Sequence, residues 1–282
     1  MQRFSDRVDR AGTRRRVHEP SIVRLPASVQ RLGLLDMKCG RMTIETPVAT
    51  RYVGNMNENN KNLRVLVVGA TGGSGRAAVE HLLAQGCRVT AFSRSASRLA
   101  DLSGDLRVID GDASNPADVD RAVQGQDAVV VTLGITENPI RVRLLGTART
   151  PIDIRSKGTF NVIDAMKRHG VRKLVVQTTY GIGETEGRLG IGDQLFFSVL
   201  LKPQIDDTKV QEQFVRNSGL DWTLAQPVHL TDDDAPSQPF ISLQGDTGVM
   251  KVSRRAVGGF LSAAVLSERY VGKSVALSGV AA

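Results

Sequence analysis

Residues 63–86 read LRVLVVGATGGSGRAAVEHLLAQG, and the rest of the chain is understood outward from them. Leu63 to Val68 is an apolar run of strand length, the pattern of a strand buried on both faces of a parallel sheet. It runs into Gly69-Ala70-Thr71-Gly72-Gly73-Ser74-Gly75, and the helix predicted over Arg76 to Gln85 closes at Gly86. A strand that turns directly into a helix leaves amide N–H groups pointing out at the helix N-terminus, where anions bind. Gly69 permits the tight turn, Gly72 lets a diphosphate approach the backbone without a Cβ in the way, and Gly75 allows helix to pack against strand. Gly73 belongs to the same bare stretch, and Thr71 and Ser74 add hydroxyl donors. The spacing is G-x-x-G-x-x-G, not G-x-G-x-x-G, and alone it would also suit a loop that merely joins strand to helix. Its place between a strand and a helix favours the anion site.

Downstream, apolar runs of strand length alternate with amphipathic stretches of helix length, as βαβ units require. Strands are predicted at Cys87 to Phe92, Leu106 to Ile109, Ala128 to Leu133, Val171 to Thr178 and Trp222 to Ala225. Helices are predicted from Asn115-Pro116, where Asn caps and Pro takes the first turn, over Ile152 to His169 with Gly170 as its stop, over Ile205 to Asn217, and over Ser253 to Ser267. Lys273 to Leu277 reads as an edge strand. The expected fold is α/β, a Rossmann-type doubly wound parallel sheet forming one domain over residues 61–282 with a small C-terminal elaboration.

The end of the second strand selects the nucleotide. A site for NAD(H) usually carries an acidic residue there to hold the ribose 2′-hydroxyl. Here the strand ends Ala91-Phe92-Ser93-Arg94, with Arg98 four residues on. Arg94 offers a planar fork for a 2′-phosphate and Arg98 a second charge, although Arg98 suits a solvated loop position nearly as well. NADP(H) is the expected cofactor.

Residues 1–60 lack a sustained helical or strand period and read as a mostly disordered basic leader; a translation start at Met56 is an alternative. The formal charge of +8 concentrates there: residues 1–55 carry eleven Lys or Arg against five Asp or Glu, and the remainder 26 against 24. A nearly neutral folded part gives no expectation of nucleic-acid binding. The apolar run Leu195 to Leu201 is short and broken by Ser198, so no membrane span is expected. Two cysteines, Cys39 and Cys87, give no disulfide framework, and a reducing cytoplasm is the expected compartment. His18, His81, His169 and His229 are widely spaced, and no metal site is expected.

The segments VLVVGATGGSG, FSRSASRL, VIDGDA, VVVTLG, KLVVQTTYG and SGLDWTLAQP occur in the order seen in atypical short-chain dehydrogenases/reductases. Over roughly residues 63–235 the chain resembles their NAD(P)H-binding, NmrA-like branch, and within it the NADPH-dependent biliverdin-IXβ/flavin reductases. The resemblance implies that Asp112 and Ala113 border the adenine and that Leu133 and Gly134 pass beside ribose and diphosphate. It places Thr178, Thr179 and Tyr180, with Gln226, Pro227 and Val228, around the nicotinamide. One departure is chemical. The wider superfamily uses a Tyr with Lys four residues later as its acid, whereas Tyr52, Tyr180 and Tyr270 are followed at that spacing by Met56, Glu184 and Ser274. The expected activity is therefore hydride transfer from NADPH to a small, flat, electron-poor acceptor such as a flavin, quinone or linear tetrapyrrole, which solvent can protonate. Thr179 and Tyr180 are the expected orienting groups at the hydride, Lys209 is a weaker candidate, and Leu189 to Leu201 is a candidate apolar wall. The alternative is an NADP(H)-sensing regulatory or interaction protein without turnover; a sugar-nucleotide epimerase fits less well without the Tyr/Lys pair. Monomer and homodimer are both compatible with the sequence.

Overall fold

A computed structural model describes residues 62–134, 151–190, 202–233 and 238–280, all within the unit Val53–Ala282. The leader, residues 135–150 and most of the candidate apolar wall lie outside the described residues.

Strand β1 (Arg64–Val68) feeds helix α1 (Gly73–Ala84), and β2 (Arg88–Ser93) is followed by a single 3₁₀ turn at Ala96–Leu99 and by β3 (Leu106–Asp110). Then come α2 (Pro116–Val123), β4 (Ala128–Val131), α3 (Ile154–His169), β5 (Lys173–Gln177), α4 (Lys202–Arg216) and β6 (Asp221–Pro227). The C-terminal part adds β7 (His229–Thr231), β8 (Phe240–Ser242), β9 (Lys251–Ser253), α5 (Arg254–Val265) and β10 (Lys273–Ser278). Among the described residues, eight strands form one sheet in the order β3-β2-β1-β4-β5-β6-β10-β8, with only β8 antiparallel, while β7 and β9 pair separately. The order reverses between β1 and β4, which opens a crevice at the C-terminal ends of these strands where ligands bind in this class of sheet.

Alternate residues of β1 explain the doubly wound arrangement. Val65 and Val67 join one core cluster with residues of α1 and α5, whereas Leu66 and Val68 join another with residues of α2 and α3. Both sets are fully or almost fully buried, as the unbroken apolar run requires. Two expectations need correction. Helix α1 begins at Gly73, three residues before the expected start, because Arg76 N–H donates to the Gly72 carbonyl at 2.7 Å and draws the last glycines into the first turn. The strand at Lys273–Ser278 is interior to the sheet: it pairs in parallel with β6 and antiparallel with β8, a strand too short and irregular in pattern to be read from sequence.

Candidate functional site

The glycine turn is built from steric exclusions. Gly69 has φ +84°, and a Cβ there would lie 2.8 Å from the Thr132 carbonyl oxygen. At Gly75 a Cβ would lie 2.3 Å from the Gly69 carbonyl oxygen and 2.7 Å from Thr132 Oγ1, so this glycine is required for α1 to close on β1 and β4. Thr132, to which the sequence reading gave no role, donates its hydroxyl to the Val68 and Gly69 carbonyls at 3.0 and 3.2 Å and pins the turn; its sign in the sequence was a lone hydroxyl near the end of the fourth apolar run. Gly72 differs: its nearest outside contact would be 3.4 Å. It is the N-cap of α1 and supplies no side-chain cap, so first-turn amides remain for an acceptor from outside the chain. Gly73 has another neighbour, since a Cβ there would lie 2.3 Å from Cδ of Arg254 at the start of α5.

The end of β2 is tied to this turn. Thr71 Oγ1 donates to Ser93 Oγ at 3.1 Å, and Ser93 Oγ also accepts from Ser95 N–H at 3.3 Å. Arg94 follows, exposed, and Arg98 lies exposed in the 3₁₀ turn. Buried Ser74 occupies the first turn of α1.

On the adenine and ribose side, the Asp112 carboxylate accepts from Ser114 N–H at 2.8 Å, which shapes the turn after β3. Ala113 is buried, and its carbonyl accepts from Asn161 Nδ2 on α3 at 2.9 Å. Leu133 packs over Gly158, where a Cβ would lie 2.5 Å from Leu133 Cδ1. Gly134 ends the described part of this strand end, beside the Arg155 guanidinium, whose pKa burial lowers against the opposing charge of Asp207.

The nicotinamide side gathers Thr178, Thr179, Tyr180, Gln226, Pro227 and Val228 through main-chain bonds: Thr178 N–H donates to Ala225 O at 2.8 Å and Tyr180 N–H to Pro227 O at 2.9 Å. Val228 N–H donates to Leu277 O at 3.0 Å. Their side chains take different directions. Thr178 Oγ1 and Gln226 Nε2 both donate to the buried Glu212 carboxylate, at 2.7 and 2.9 Å, and Arg216 donates to its other oxygen at 3.0 Å. The same Arg216 forks onto Glu184 at 2.5 Å through two nitrogens. This network lies under the ends of β5 and β6 and holds them together. The phenol of Tyr180 is 3% exposed and donates to Gly245 O at 2.9 Å, and burial pushes its pKa up. The Tyr180 ring is therefore packed at the end of β5 with its hydroxyl engaged by the main chain. Thr179 is half-buried, with a marginal 3.5 Å contact to the Tyr180 carbonyl among the described residues. Lys209 pairs with Glu186 at 2.6 Å on the surface. Among the described residues no cluster of His, Cys, Asp or Glu could hold a metal ion.

A parallel sheet with its switch point beside an uncapped glycine turn defines a dinucleotide-binding Rossmann domain. The bare Gly72 and the uncapped first turn of α1 fit a diphosphate. Residues 69–268 match the NAD(P)H-binding family, and the chain belongs to it. It is 28% identical over 222 residues to the (4-alkanoyl-5-oxo-2,5-dihydrofuran-3-yl)methyl phosphate reductase of Streptomyces griseus, covering 76% of this chain and 67% of that one. It is also 28% identical over 178 residues to an uncharacterised chloroplastic protein of Arabidopsis thaliana, with 61% of each chain covered, so it spans about three fifths of that relative's length. Among solved structures, a Rossmann-fold NAD(P)-binding family protein from Shigella flexneri is 25% identical, with TM-score 0.56 and coverage of 76% of this chain and 92% of that one. A short-chain dehydrogenase/reductase from Veillonella parvula in complex with NADP shares the fold at 16% identity, with TM-score 0.62 and coverage of 77% and 94%. No helix of the described residues is long and apolar enough to cross a membrane.

Proposed function

We propose that the chain is an NADPH-dependent reductase that passes hydride to a small, flat, electron-poor acceptor. NADPH, when bound, supplies the hydride from its nicotinamide ring, and water supplies the proton that completes reduction of the acceptor. The first-turn amides of α1 would hold the diphosphate, with Arg94 and Arg98 on the 2′-phosphate. The backbone of Thr178 to Tyr180 and of Gln226 to Val228 would shape the nicotinamide side, with the Thr179 hydroxyl orienting the ring or the acceptor.

The observation that carries this reading is the state of Tyr180. The strand-end phenol is buried, bonded to Gly245 O and not followed by a Lys at the catalytic spacing, so among the described residues no Tyr/Lys pair stands ready to protonate an alkoxide. Flavins, quinones and conjugated carbonyl compounds need no such acid. The substrate in the name of the Streptomyces relative, an oxo-dihydrofuran bearing an alkanoyl group, is of this flat, electron-poor kind. The proposed setting is a reducing cytoplasm, in keeping with the free buried thiol of Cys87, with a small-molecule partner, no nucleic acid, and a monomeric or homodimeric state.

The test mixes purified protein with NADPH and a panel of flavins, quinones and conjugated lactones and follows the absorbance of the reduced nicotinamide. Acceptor-dependent oxidation above buffer is expected. Tight NADPH binding with every acceptor inert would assign the chain instead to the NADP(H)-sensing, NmrA-like kind. Within the same assay, Arg94→Ala should raise KM for NADPH roughly tenfold more than KM for NADH, because a guanidinium fork on the 2′-phosphate serves only the former. Equal effects would overturn the NADP(H) preference.

A further inference from the structure

Arg254 lies far along the chain from the glycine turn, yet its stem rests on it: Cδ is 2.3 Å and Nε 3.3 Å from the point where a Cβ on Gly73 would stand. Gly73 is thus bare because Arg254 occupies the space beside it. Two features of the C-terminal part bring the residue there. Strands β7 and β9 pair in parallel with Thr231 opposite Ser253, so the residues that follow, Asp232 and Arg254, emerge side by side. Ser253 then caps α5, accepting from Ala256 N–H at 3.1 Å, and fixes Arg254 as the first helical residue. Helix α5 runs alongside α1 in the same direction, with Gly258 on Ala77 and Gln85 Nε2 donating to Ser262 Oγ at 3.2 Å. Both N-termini therefore open at the same end of the sheet, beside the turn.

Among the described residues the guanidinium is held by one carboxylate. Arg254 Nη1 donates to Asp232 Oδ1 at 2.7 Å, and the Asp232 side chain is 83% exposed. An exposed ion pair of this kind contributes little to stability. It does orient a cation between the phosphate turn and the segment that follows β6.

We propose that Arg254 is a diphosphate clamp: with the dinucleotide along the glycine turn, its guanidinium closes over the diphosphate from the side opposite the α1 amides, and Asp232 is the anion that the diphosphate displaces. This rests on the cofactor-binding reading above and deepens it, assigning to α5 a cofactor contact that the glycine motif does not contain. Chemically the clamp suits a doubly charged diphosphate, because a planar fork can bond two oxygens at once.

The ion pair makes the proposal testable in opposite directions. Titration calorimetry with NADP⁺, and with 2′-AMP, which carries the 2′-phosphate but no diphosphate, separates the two ends of the site. Arg254→Gln is expected to weaken NADP⁺ about tenfold and to leave 2′-AMP within twofold, whereas Arg94→Ala weakens both. Asp232→Asn, at an exposed position where the melting temperature is expected to stay near the parent's, is expected to tighten NADP⁺ severalfold by removing the competing carboxylate. An Arg254→Gln protein that binds NADP⁺ as the parent does, or that loses NADP⁺ and 2′-AMP alike, would overturn the clamp, as would an Asp232→Asn protein with unchanged affinity. Failure of the parent protein to bind NADP⁺ at all would instead overturn the cofactor reading on which the clamp rests.

Discussion

At Gly75 an added methyl carbon would lie 2.3 Å from the Gly69 carbonyl oxygen, against backbone that cannot move without reopening β1 and α1; at Gly72 its nearest outside neighbour would be 3.4 Å away. Gly75→Ala is therefore expected to destabilise the fold by about 2 kcal/mol through overpacking, whereas Gly72→Ala should cost less than about 1 kcal/mol at a helix cap and lose cofactor affinity. Urea denaturation and NADP⁺ titration on the same two proteins check this. A Gly72→Ala protein with parental affinity would remove Gly72 from the diphosphate site. Spacing in the sequence located these glycines because a turn is a local structure. It also gave Gly69, Gly72 and Gly75 separate duties; what it did not contain were their distant neighbours, Thr132 beside Gly75 and Arg254 beside Gly73.

Elements were legible where a single residue type settles a boundary. Asn115 accepts from Ala117 N–H at 3.0 Å and starts α2 with Pro116 behind it, and Gly170 closes α3 in the left-handed region at φ +71°. The starts of β1 and β4 were legible too, at Leu63 and Ala128 against Arg64 and Ala128, but the contact that ties them together was not. The starts of β1 and β4 are latched by Asp127, whose carboxylate accepts from Arg64 N–H at 2.8 Å and from the Arg64 guanidinium at 2.7 and 3.0 Å. The Arg64 side-chain hydrogen bond, outweighing the opposing effect of burial, holds the Asp127 carboxyl below its ordinary value of 3.8. A carboxyl depressed in the folded state contributes stability that is complete above its unfolded pKa and is lost as pH falls through the folded one. Asp127→Asn should accordingly cost about 1 kcal/mol at pH 7, the partial exposure of both groups included, with the difference from the parent shrinking below pH 3.8. Denaturation midpoints of the two proteins at neutral and acid pH measure it, and a gap independent of pH would refute the latch.

Across the whole molecule, the contact between α1 and α5 joins the cofactor end of the sheet to its C-terminal part. Gly258 lies so close to α1 that a Cβ would meet Ala77 Cβ at 2.4 Å and the Ala78 nitrogen at 2.7 Å. Gly258→Leu should separate the helices at a cost of about 3 kcal/mol, lower Tm by roughly 5–10 °C, and weaken NADP⁺ binding as Arg254 leaves the turn. A Leu variant with parental melting temperature would show that the helices have room to spare.

The sequence by itself determined the parallel sheet, the phosphate turn and the arginines at the end of β2, because each is written in neighbouring residues: a period of apolar positions, a glycine spacing, a strand end. Tertiary structure alone decided the interior place of β10, the Glu212 network that takes the Thr178 and Gln226 side chains, the burial of Tyr180, and the arrival of Arg254 at Gly73. These follow from strand pairing and helix packing between distant segments, where side-chain direction is set by whatever the rest of the chain brings alongside, and no local pattern records it.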